Sequence, residues 1–145
     1  MEWSPDGRTF YLADTRALWI DCWDYDPATV SLRNRRRFVT YDAGEGKPDG
    51  GATDSTGAYW GAGIYAGKIH RFSPEGARLE TVSIPAEMVT MPCFGGADMK
   101  TVFVTSLSRG ADGVPGDGGL FSFRAQVAGP TPRRMAVPEA LRPTR

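Results

Sequence analysis

The sequence predicts an all-β fold, and three observations support that prediction. First, 18 Gly and 11 Pro are scattered through 145 residues, which reads as many tight turns. Second, helical patterning is weak: "PAEMVTM" and "PEALRPTR" are the only stretches that could hold a turn or two of helix. Third, a turn followed by an aromatic or β-branched strand recurs in "SPDGRTFYLAD", "DSTGAYWGAG" and "GADMKTVFVTS". Phe10, Tyr59 and Val102 are the corresponding positions, 49 and 43 residues apart.

Each copy continues in the same order. A second strand follows in "LWIDCWDYDP", "GKIHRFSPEG" and "GGLFSFRAQ". Ile20, Ile69 and Leu120 correspond there, as do Trp23, Phe72 and Phe123. An insertion, "LSRGADGVPGDGG", lengthens the third copy. A last strand is expected in "RRFVTYD", "RLETVSI" and "RRMAVP", and an innermost one in "MEWS", "GGATD" and "TMPCFGG". Four strands per repeat is the pattern of a β-propeller blade. The chain is therefore expected to form one partial propeller domain over residues 1–145, with blades near 1–42, 49–85 and 90–138. Three blades fall short of the four to eight that close a propeller ring. Both end blades would leave apolar faces open, so a homodimer or a missing N-terminal half is expected to complete the ring.

Composition excludes several partners. Lys plus Arg and Asp plus Glu are 17 each, for a net charge of zero, which opposes nucleic-acid binding. "RNRRR" (Arg33–Arg37) reads as a solvated blade edge that discourages edge pairing. Two distant cysteines, Cys22 and Cys93, fit reduced thiols rather than a disulfide framework or a zinc site. The opening "MEWSPDGRTF" lacks signal-peptide features, and no apolar run is long enough for a membrane helix. A cytoplasmic protein without membrane contact is the expectation. His70 has no second His or Cys cluster beside it, which argues against a histidine triad or zinc centre.

Asp49, in "KPDGGATDSTGAYWGAG", draws most attention. Locally, Pro-Asp-Gly is ordinary turn chemistry. The repeat places Asp49 just before an innermost strand, where Gly50 and Gly51 allow a close approach. Asp6, Asp54 and Asp98 recur in or beside equivalent turns, which indicates structural roles. Asp24 and Asp26 open a turn. Asp112 and Asp117, in the insertion, lack calcium-loop spacing, and a mobile loop over one channel mouth is the expectation there.

"DYDPATVSLRNRRRFVTYD", "KPDGGATDSTGAYWGAG", "GKIHRFSPEG" and "CFGGADMKTVFVTS", in that order, resemble the C-terminal half of the SMP-30/gluconolactonase/LRE (regucalcin-like) family. The resemblance implies a six-bladed propeller about twice this length, with lactonase members that open sugar lactones using one divalent cation. A divalent cation polarises a carbonyl and lowers the pKa of bound water. Calcium, magnesium, manganese and zinc all accept such oxygen ligands. By resemblance, Asp49 is the metal ligand and the catalytic carboxylate. The family's Asn would fall two residues ahead of Met1, and its Glu and sugar-contacting Arg and Asn belong to the other half. The resemblance thus implies a fragment of a metal-dependent aldonolactone hydrolase. The alternative is a non-catalytic propeller segment serving as an interaction or assembly module.

Overall fold

A computed structural model of the chain describes residues 1–132. Among them, β1 (Glu2–Trp3), β2 (Thr9–Asp14), β3 (Trp19–Asp26) and β4 (Ser31–Thr40) form one antiparallel sheet in chain order. A second sheet contains β5 (Lys47–Thr53), β6 (Tyr59–Ile64), β7 (Lys68–Phe72) and β8 (Arg78–Ser83). The third contains β9 (Val89–Gly95), β10 (Thr101–Ser106) and β11 (Leu120–Arg124). The expected last strand "RRMAVP" and the stretch "PEALRPTR" lie outside the described residues.

The internal repeat reappears as register. Phe10 pairs with Trp23, Tyr59 with Phe72 and Val102 with Phe123. Three residues on, Ala13 pairs with Ile20, Ala62 with Ile69 and Thr105 with Leu120. The turns repeat as well. Gly7, Gly57 and Met99 each donate a backbone hydrogen bond three residues back, to Ser4, Asp54 and Gly96. All three have positive φ, which is strained for Met99 and easy for the glycines.

"PAEMVTM" is not helical. Val89 to Met91 run straight into β9, where Thr90 and Val89 are β-branched and Pro92 holds its predecessor extended.

Strand alternation makes the middle sheet buried on both faces. Tyr59 and Phe72 join Tyr11, Ile20, Cys22, Val39 and Tyr41 in a core against the first sheet. Trp60, Ala62 and Ile69 join Val89, Phe94, Val102 and Val104 in a core against the third. Trp60 bridges the second, with ring centroids 5.7 Å from Phe94 and 5.9 Å from Phe123. The innermost strand β5 packs between β1 and β9. The Thr53 hydroxyl ties it to β1 by donating to the Trp3 carbonyl at 2.9 Å.

Candidate functional site

Asp49 lies inside β5, not in a turn ahead of it, because β5 starts at Lys47. The ladder to β6 jumps from the Pro48–Gly63 pair to the Gly51–Gly61 pair. Two residues, Asp49 and Gly50, therefore face one on β6, which is a β-bulge. Local sequence explains the bulge. Gly50 backs onto Thr90 and Met91 of β9, where a Cβ would collide with the Thr90 carbonyl. Gly51 sits on the phenol of Tyr59, and a Cβ there would fall within the ring. Both glycines are needed for close approach, and the bulge frees Asp49 from the ladder.

Asp49 is half-buried. Burial raises its pKa above the usual 3.8, while the amino group of Met1 acts in the opposite direction. Glu2 of β1 is likewise raised by burial, against a hydrogen bond from the Trp3 amide and the same amino group. Both carboxylates bear on the fully buried Tyr59 hydroxyl, whose pKa is pushed up first by burial, then by Glu2, Tyr11 and Asp49. Glu2 and Asp49 are carried on the innermost strands β1 and β5, and Tyr59 on the adjoining β6. Only the packing of β1 on β5 brings Glu2 there, and no local motif announces it.

Gly51→Ala is expected to cost about 1–3 kcal/mol by overpacking against Tyr59. A thermal melt with an unchanged midpoint would show that the close approach is not required.

A catalytic cation needs about three protein ligands. No group of three or more His, Cys, Asp or Glu side chains converges among the described residues. The residues present do not fit a complete cation site.

Four further carboxylates on the described turns and strands are occupied by structure. Asp6 accepts from the Ser4 hydroxyl at 2.5 Å and the Arg8 amide at 3.0 Å. Asp98 is paired with Arg124 and caps the Lys100 amide. Asp26 accepts from Ala28 and Thr29, and Asp24 from Asn34 and Arg36.

Asp117 corrects the mobile-loop expectation. Its side chain is buried and accepts from the amides of Glu87, Met88 and Val114 and from Arg109. These bonds pin the insertion to the segment entering β9. Asp112 is exposed on a short 3-10 turn (Gly110–Asp112).

The basic run lies on β4, the outer strand of its sheet. Sequence reasoning missed its second role. Arg35 and Arg37 close over the buried Asp21 at 2.7 and 2.6 Å, and both guanidinium groups stack on Trp19.

The geometry defines a class: antiparallel sheets stacked face to face about a shared inner wall, the β-propeller arrangement. The SMP-30/Gluconolactonase/LRE-like region matches residues 1–108, and the chain belongs to that family. It is 41% identical over 113 residues to regucalcin of Danio rerio, covering 77% of this chain and 38% of that protein. A solved luciferin-regenerating enzyme superposes with TM-score 0.79 at 30% identity, covering 88% of this chain and 45% of that one. A calcium-binding protein, regucalcin from Agrobacterium tumefaciens, gives TM-score 0.79 at 27% identity with the same coverage. The chain thus spans about two fifths of the length of the curated relatives it matches. No helix among the described residues is long and apolar enough to cross a membrane.

Proposed function

We propose that this chain supplies the Asp49-bearing part of a sugar-lactone hydrolase of the gluconolactonase type, acting on an aldonolactone in the cytoplasm. One observation supports it above others. In a family that includes gluconolactonases, Asp49 stands in a bulge on the innermost strand, half-buried and released from the β-ladder. Hydrolysis adds water to the lactone carbonyl carbon and breaks the ring C–O bond. Asp49 would accept the proton that the attacking water loses, and the departing ring oxygen takes up a proton in turn. A carboxylate whose pKa is raised by burial is a better base than an exposed one.

The likeness to a calcium-binding regucalcin supports a divalent cation, whether calcium, zinc, manganese or magnesium. Asp49 is the one ligand this chain is proposed to bring. The others would come from the rest of a longer chain or from a partner, so the domain of residues 1–145 acts as part of a larger propeller.

The completed propeller that contains this chain is expected to hydrolyse glucono-1,5-lactone above a cation-only blank. Asp49→Ala is expected to reduce that rate about 100-fold or more. Activity equal to the blank with every cation would remove the reading for this chain. A second reading, a non-catalytic assembly module, is favoured by the lack of a three-ligand cluster among the described residues. It predicts that divalent cations leave the melting temperature unchanged whether or not Asp49 is present.

A further inference from the structure

The connection from β4 to β5, residues 41–46, delivers the chain to the strand that carries Asp49. Its sequence, "YDAGEG", has two glycines and no β-branched residue, so little of its shape is fixed locally. Side chains of β7 and β8 fix it instead. Lys68 donates to the Gly44 carbonyl at 2.7 Å. His70 Nε2 donates to the Glu45 carbonyl at 3.0 Å. Arg78 pairs with one oxygen of the Glu45 carboxylate, and the other accepts from the Asp42 amide at 2.6 Å. At the head of the connection, Tyr41 sets its ring edge-on to His70 with centroids 5.3 Å apart. His70 therefore touches both ends of the segment. Glu45 and His70 are both buried, so water does not replace their bond without cost.

β6 is shaped to receive the segment. A Cβ on Gly63 would collide with the Glu45 carbonyl and stand 3.1 Å from His70 Nε2. Between the segment and the bulge, β5 has only two ladder residues, Lys47 and Pro48, opposite Ile64 and Gly63. Pro48 has no amide hydrogen to give that ladder. On the leading side of Asp49 the sheet thus holds the backbone weakly, and the clamp on Gly44 and Glu45 holds it more. On the trailing side, Gly50 and Gly51 are pressed against β9 and Tyr59.

We propose that His70, together with Lys68 and Arg78, is a positioning residue for Asp49: it fixes the connection that sets where the bulged carboxylate stands. Its effect on hydrolysis rests on the reading of Asp49 as the base, whereas its effect on the backbone does not.

Hydrogen exchange of the full chain, read by mass spectrometry, tests the backbone effect. In His70→Leu, exchange over residues 44–51 is expected to speed by about fivefold, the scale of one lost hydrogen bond. That change should exceed any change over β10. Lys68→Met keeps the packing stem and loses only the bond to Gly44, so it is expected to act on the same residues. It carries the test alone if the leucine variant does not fold. His70→Gln, whose amide still donates toward Glu45, is expected to restore most of the protection. In the completed propeller, His70→Leu is expected to lower kcat about tenfold or more with KM little changed, and His70→Gln to recover most of the rate.

Unchanged exchange over residues 44–51, or an equal rise over β10, overturns the proposal whatever the activity. An unchanged kcat in a propeller whose hydrolysis requires Asp49 overturns it as well. A propeller without any Asp49-dependent hydrolysis removes the proposed function alone, and the exchange result then decides the clamp.

Discussion

Asp54→Ala is expected to destabilise the fold by about 3–5 kcal/mol, the range for stripping one partner from a buried ion pair. Asp54 is completely buried in the turn joining β5 to β6. One oxygen accepts from the Thr56 amide and hydroxyl at 2.9 and 2.6 Å and from the Ala58 amide at 3.2 Å. The other accepts from Trp60 Nε1 at 3.0 Å and from Arg71 Nε at 2.9 Å. Burial alone would raise its pKa, but the hydrogen bonds from Thr56, Trp60 and Arg71 outweigh it and hold the group ionised. Truncation leaves the Arg71 charge and the indole N–H without their acceptor, and Trp60 is the side chain that joins the second and third sheets. Urea titration at neutral pH measures the loss. Asp54→Asn keeps one acceptor and is expected to lose less. A loss below about 1 kcal/mol for the alanine variant, the worth of one ordinary hydrogen bond, would show that the network is not a stability hub.

Acid is expected to unfold the chain through His70. This side chain is 1% exposed at the interface of the first two sheets. Nε2 lies 3.0 Å from the Glu45 carbonyl and Nδ1 lies 3.0 Å from the Thr81 hydroxyl. A carbonyl only accepts, so Nε2 carries the hydrogen and Nδ1 accepts from Thr81. Burial, reinforced by the Lys68 charge, lowers the pKa to about 4. An unfolded histidine titrates near 6.5, so the unfolded chain takes up the proton first as pH falls. This contribution to stability is complete above about pH 6.5, shrinks between 6.5 and 4, and is gone below that. At about 1.4 kcal/mol per pH unit the total is about 3 kcal/mol. The sequence 42–46 loop should loosen with it, because His70, Lys68 and Arg78 all hold that loop, through the Glu45 and Gly44 carbonyls and the Glu45 carboxylate. Urea midpoints followed from pH 7 to 4.5 should fall less steeply in His70→Gln than in the parent. Parallel slopes would clear His70 of the effect.

Several features were legible from the residues because they depend on neighbours in the chain. Turn glycines, period-two strands and the recurrence of Phe10, Tyr59 and Val102 marked three repeats of successive short strands. The structural use of Asp6, Asp54 and Asp98 was legible for the same reason, since their hydrogen bonds begin within their own turns. The Pro-Asp-Gly-Gly stretch read locally as ordinary turn chemistry, and Asp49 stood out only through the repeat and the family resemblance.

Packing between sheets decided the rest. Asp49 belongs to β5 rather than to a turn because Thr90, Met91 and Tyr59 crowd Gly50 and Gly51, and those contacts link separate strands. Glu2 joins Asp49 only through the seating of β1 on β5. Asp117 anchors the insertion through the amides of Glu87 and Met88, 30 and 29 residues earlier. Arg35 and Arg37 reach Asp21 across a bulged pair of strands. The sequence by itself determined the sheets and the turns, because these arise from local backbone preference and alternation, and the resemblance to the family added Asp49. The tertiary structure alone decided that Asp49 sits in a bulge against β9 and that Asp117 anchors the insertion, because both depend on contacts between separate strands.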